Sequence, residues 1–134
     1  MAAASALDLL QAALASEASV IAKVADRIFA IELPQKAAFP ALVLHLVDER
    51  DERMLTGAGQ YPVARFIVDC IGETFGQAAG TGATVKDALR DWSGTVEGFF
   101  VAFDHDDIDH FDRGENGKLW RRRIGFQARF RAAA

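Results

Sequence analysis

From Leu119 to Arg131 the chain alternates between two kinds of side chain. Trp120, Ile124, Phe126, Ala128 and Phe130 fall on one side of a period-two repeat, and Arg121, Arg123, Gln127, Arg129 and Arg131 fall on the other. This spacing predicts a half-buried β-strand. Arg122 breaks the apolar row near its start, where a strand end would let its long side chain reach water. At about 3.3 Å per residue the strand spans roughly 40 Å, about twice the usual length. A strand of that length is expected to project beyond a small domain and to offer an edge for pairing in an assembly.

Upstream, Ser5-Ala6-Leu7-Asp8 reads as a capped helix start, and Leu7, Leu10 and Leu14 mark one face of a short amphipathic helix. A second helical turn or two is predicted from Glu17 to Ala25, with Val20, Ile21 and Val24 buried, and Asp26-Arg27-Ile28-Phe29 leads out of it. Pro34 and Pro40 bracket a loop. Ala41 to Val47 reads as a strand, and Asp48 to Gln60, charged and then rich in small residues, as a solvated or mobile connection. The next strand runs from Tyr61 to Gly72, with Ala64, Phe66, Val68 and Cys70 alternating against Arg65, Ile67, Asp69 and Ile71. Helical spacing returns at Phe75, Ala78, Ala79, Gly82, Val85, Leu89 and Trp92. The glycines at 76, 80 and 82 leave two readings: a helix packed closely on the sheet, or one that begins only at Thr84. Ser93-Gly94 ends it. Phe99 to about Phe111 is a strand that becomes acidic toward its tip, and Arg113 to Gly117 supplies the turn into the last strand.

The order α-β-β-α-β-β predicts an α+β fold: two main helices on one face of a largely antiparallel four-stranded sheet with a long C-terminal hairpin. At 134 residues the chain is most simply one domain, residues 1–134, with apolar content of 51% and charged content of 25% that do not suggest disorder. Cys70, the one cysteine, excludes an internal disulfide and reads as a small buried hydrophobe. No stretch approaches the roughly 20 apolar residues of a membrane span, and the first fifteen residues lack the marks of a signal peptide, so a chain made in the cytoplasm is expected.

The net charge of −4 is unevenly spread. Arg113 to Ala134 holds seven basic residues against Glu115, a local +6, which leaves −10 for Met1 to Asp112. Such a division suits head-to-tail contact between copies or contact with differently charged neighbours. The simpler reading is internal neutralisation, with Asp104, Asp106, Asp107, Asp109 and Asp112 lying opposite the arginines across the hairpin.

His105, Asp106, Asp109 and His110 have the side chains of a metal site, but on a strand His105 and Asp109 lie about 13 Å apart and Asp106 points away. The run Gly76 to Gly82 follows a strand as a phosphate loop would, yet it lacks the P-loop lysine and the dinucleotide spacing. No arrangement singles out a hydrolase triad. No catalytic residue, metal ligand or cofactor is therefore expected. The row Arg121, Arg123, Arg129 and Arg131, joined by Arg65, resembles a nucleic-acid surface, but its aromatic neighbours point the other way and provide no stacking platform. Ion pairing between subunits, with Asp69 or the acidic segment Asp104 to Asp112, is the favoured use. Reversal of Arg121 and Arg123 to glutamate is accordingly expected to leave a folded subunit that fails to assemble.

Taken in order, Asp26-Arg27-Ile28-Phe29, Phe39-Pro40-Ala41-Leu42-Val43-Leu44, Ala64-Arg65-Phe66-Ile67-Val68-Asp69-Cys70 and Trp120-Arg121-Arg122-Arg123-Ile124-Gly125-Phe126-Gln127 resemble the tail-terminator, or tail-completion, proteins of long-tailed bacteriophages and gene transfer agents. The resemblance runs from about Leu7 to Arg131. It implies an α+β subunit of a hexameric ring that caps the tail tube, meets a head-side connector, carries out no covalent chemistry, and meets DNA only as passing cargo. The acidic Asp104 to Asp112 and the triple arginine 121–123 depart from the family pattern. The competing reading is a small oligomeric binding module, associated with a metal or nucleic acid, without a phage role.

Overall fold

The computed structural model describes residues 6–51, 62–113 and 117–132. The Ser5 cap, residues 52–60 of the expected connection and the centre of the turn at 114–116 lie outside the described residues, whereas Asp48 to Asp51, expected in that connection, continue the strand that begins at Ala41 and pair with the next one. Among those described, three helices and six strands follow one another: α1 (Ala6–Ala15), α2 (Ala18–Val24), β1 (Ile28–Ala30), β2 (Ala41–Asp51), β3 (Pro62–Gly72), α3 (Phe75–Leu89), β4 (Ser93–Val96), β5 (Phe99–Arg113) and β6 (Trp120–Ala132). All six strands join in one sheet of order β1-β2-β3-β6-β5-β4. β1 runs parallel to β2, and the other pairs are antiparallel.

The expected four-stranded antiparallel sheet with two main helices is therefore wrong: the domain is mostly β, with a mixed six-stranded sheet and three helices. The two unforeseen strands are too short to show an alternation. β1 is three residues, of which Ile28 is buried, and its sequence looks no different from a way out of α2. β4 contains Ser93 and Gly94, a pair that suits a helix end and of which glycine is poor in β-propensity. It is held by a tight hairpin whose two central residues, Glu97 and Gly98, both have positive φ, as a two-residue turn between twisted strands requires. The chain also breaks between α1 and α2, where Glu17 is extended.

α3 starts at Phe75, so the glycines lie within it. The Thr74 hydroxyl accepts a hydrogen bond from the Gln77 N–H at 3.0 Å, and the Gln77 side-chain oxygen accepts one from the Glu73 N–H at 2.7 Å, an exchange that caps the helix and ties its first turn to the residue before the cap. Leu7, Leu10 and Leu14 of α1, Val20 and Val24 of α2, and Ala78, Val85 and Leu89 of α3 cover one face of the sheet, burying Leu42, Leu44, Phe66, Val68, Ile124 and Phe126. Ile21 and Phe75, expected inside, are exposed.

The alternation read for β6 is observed: Ile124, Phe126, Ala128 and Phe130 are buried, while Arg129 and Arg131 are exposed. The strand does not project. β3 pairs with it from Arg129 back to Trp120, and β5 pairs with it from Ala132 to Trp120, so β6 occupies the middle of the sheet. Its length is absorbed because its neighbours are long as well. β5 carries an irregularity in which His105 to Asp109 spans four residues against the two from Phe126 to Ile124. An even number of additional residues preserves the phase, so Asp109 and Phe111 stay on the helix-covered face and His110 and Asp112 on the other.

Candidate functional site

The face of the sheet opposite the helices holds a charged network built by cross-strand register. Asp69 on β3 lies opposite Arg123 on β6, and Arg121 lies opposite Asp112 on β5. Asp69 is only 2% exposed. Its carboxylate accepts two hydrogen bonds from Arg123, Nε at 2.8 Å and Nη2 at 3.0 Å, and approaches His45 Nε2 at 3.0 Å. Arg121 makes a second fork on Asp112, at 2.7 and 2.6 Å, while its Nη1 stands 4.0 Å from Asp69. Planar forks of this kind fix an arginine at a carboxylate more firmly than a single contact does. Asp69 holds the Arg123 guanidinium pKa above its ordinary value, with burial working in the other direction. Arg121 holds the Asp112 carboxyl below its ordinary range by the same bonding.

Of the sequence-predicted interface residues, Arg65 pairs with Asp48 across β2 and β3, with Nε–Oδ1 at 3.0 Å. Arg129 and Arg131 are exposed, and the Arg131 guanidinium lies 5.1 Å from the Phe100 ring centre. Asp69, Arg121 and Arg123 are brought together in one cluster; Arg65, Arg129 and Arg131 are not part of it. Asp112 thus meets an arginine of its own subunit across the hairpin, as the internal-neutralisation reading expects, and Asp69, named above for pairing between subunits, also meets an arginine within its own. Charge reversal at Arg123 consequently bears on the folded subunit before it bears on assembly.

A second network, under α3, was not anticipated. Arg122 turns inward from the apolar row instead of reaching for water. Its Nε and Nη2 donate to Asp109 at 2.9 Å each, and its Nη1 donates to the Ala79 carbonyl at 3.0 Å. Lys86 of α3 donates to the same carboxylate at 2.8 Å. These bonds, with that from Arg122 foremost, hold the Asp109 carboxyl far below its ordinary range. With both oxygens occupied, Asp109 is a poor metal ligand, and its proposed companion His105 lies edge-on to Phe126 with ring centres 5.9 Å apart. Among the described residues no group of three or more His, Cys, Asp or Glu side chains is placed to hold a metal ion. Cys70 is fully buried beside this network, and desolvation pushes its thiol pKa up.

Arg122 fits because residue 82 is glycine. A Cβ there would stand 2.4 Å from Arg122 Cδ, whereas one at Gly76 would meet nothing within 4 Å. Gly76→Ala should therefore stabilise the protein by up to about 1 kcal/mol through helix propensity. Gly82→Ala should cost about 1–3 kcal/mol, because Arg122 must give up its partners. Urea denaturation of the two variants checks this, and stabilisation by both would show that Arg122 does not sit under α3. The sequence did carry a signal: an arginine in an apolar row and a glycine in the helix that crosses it.

Asp109 also predicts an acid limb. Its native pKa is depressed, so the stability it contributes is complete above the unfolded carboxylate value near pH 4 and is lost as pH falls below that toward the native value. The melting temperature of the wild type should fall across that window. Asp109→Asn should start lower and fall less steeply, and parallel curves would contradict the assignment.

Residues 8–131 match the tail completion protein gp17 family. The chain belongs to that family. It is a structural protein of a phage-type virion tail. A solved chain of the virion of a native gene transfer agent particle has the same fold, with a TM-score of 0.65 and 24% identity over 93% of this chain and 92% of that one. No curated protein sequence matches it. In this tail completion protein the two charged networks tie β3, β5, β6 and α3 to one another. Among the described residues no helix is long and apolar enough to cross a membrane.

Proposed function

We propose that this tail completion protein closes the end of a tail tube as a homo-oligomeric ring, with six copies as the expected number, and presents its other side to a head-side connector. DNA passes through it as cargo, and the protein carries out no covalent chemistry and requires no cofactor. The observation that supports this reading best is the outer edge of β5. β4 covers it only from Phe99 to Ala102, and among the described residues no strand pairs with its outer edge from Asp104 to Arg113. An edge of that length in a protein destined for a large assembly is a place for a neighbour. The arginine face takes part in two ways: Asp69, Arg121 and Arg123 keep the sheet in register, and Arg65, Arg129 and Arg131 meet the adjoining chain. Arg129→Glu combined with Arg131→Glu should leave a folded subunit and reduce joined particles sharply. Normal joining would make these arginines a solvated face. Particles assembled without the protein should carry tails that fail to join heads, and normal joined particles would sink the proposal.

A further inference from the structure

Two apolar features stand apart on the subunit. On the β5 side, Phe75 at the start of α3 stacks on Phe111 with ring centres 4.7 Å apart and meets Trp120 edge-on at 5.4 Å. Phe75 is 49% and Phe111 38% exposed, and the exposed Arg113 guanidinium lies 4.5 Å from the Trp120 ring centre. This is an aromatic anchor with a cation on its rim. On the β1 side, a recess of about 550 Å³ opens where α1 and α2 meet β1. Its lining is mostly apolar, from Ala15, Ile21, Ala25 and Ile28, and it includes the acidic Asp26. β2 and β3 lie between the edge strand β1 and β6, which carries Trp120, and β5 with Phe111 lies one strand further, so the two features share no residue and stand several strands apart.

We infer that the Phe75, Phe111 and Trp120 cluster of one copy docks in the α1/α2/β1 recess of the next copy, with Arg113 facing Asp26. Aromatic and arginine side chains that fill a recess are the usual energetic centre of an interface. The complementary charge on the two rims selects a second copy of this chain as the occupant. The contact joins unlike surfaces, and repetition of such a contact closes a ring when the rotation allows it. The inference rests on the ring reading above and specifies its subunit contact.

Cysteines introduced at Ile21 and Phe111 can test the placement with a short thiol cross-linker, because Cys70 is buried. A mixture of the single variants Ile21→Cys and Phe111→Cys should give cross-linked dimers and nothing larger, and a chain carrying both should give a ladder up to the full ring. In parallel, Arg113→Asp should raise the concentration needed for half-assembly about tenfold or more, and adding Asp26→Arg should restore it. Rings of normal mass that show neither cross-links nor rescue would overturn this contact while leaving the ring intact. A wild-type chain that stays monomeric alone and on tails would overturn both.

Discussion

Replacing Arg123 with glutamate is expected to lower stability by about 3–5 kcal/mol, enough to unfold a large fraction of subunits in a domain of ordinary stability. The carboxylate of Asp69 is almost wholly buried and is held mainly by the two hydrogen bonds from Arg123, with His45 as its other close partner. The substitution removes that cation and sets a second carboxylate directly across the β3–β6 pair. Burial makes the remaining charge expensive, since water cannot replace the lost partner. Arg123→Lys should recover part of the loss, because it keeps the charge but not the planar fork. Chemical denaturation monitored by circular dichroism measures both, and a fully stable Arg123→Glu subunit would show that this pair does not hold the subunit together.

Phe126→Ala should cost about 3–5 kcal/mol by an independent route. Phe126 is 1% exposed, faces Phe66 across the β3–β6 pair, and lies beneath the helical layer. Its truncation removes dispersion contacts and leaves a cavity that paired strands on both sides cannot collapse to fill. Arg129→Ala, three residues away on the exposed face, should change stability by no more than about 0.5 kcal/mol. Equal losses would mean that the register of β6 is misassigned.

The long alternating strands were legible in the chain because a period of two across many residues has no competing reading. The elements that escaped are those whose hydrogen bonds come from neighbours more than from their own sequence. β1 gains strand form by lying along Leu42 to Leu44, and β4 by folding back from Glu97-Gly98 onto Phe99 to Ala102. The projection expected of β6 failed for a related reason: length in one strand says nothing of the length of its partners. In the charged networks, Asp69, Arg121 and Arg123 were marked as a group by the alternation, and only the register shows that they satisfy one another within a subunit. Arg122 and Asp109 were the hardest to place. Their pairing depends on α3 crossing at Gly82 and on an irregularity in β5 that keeps Asp109 in phase, both of them tertiary facts. The half-exposed cluster of Phe75, Phe111 and Trp120 was hidden because each aromatic residue on its own reads as core.

Electron microscopy of intact particles carrying a labelled copy of this chain would decide the role proposed for it. The label should appear as a single closed ring at the head-proximal end of the tail tube, of a mass corresponding to six copies. Label along the whole tube, at the distal tip, or on a single subunit outside the junction would contradict a ring that terminates the tube and joins it to the head.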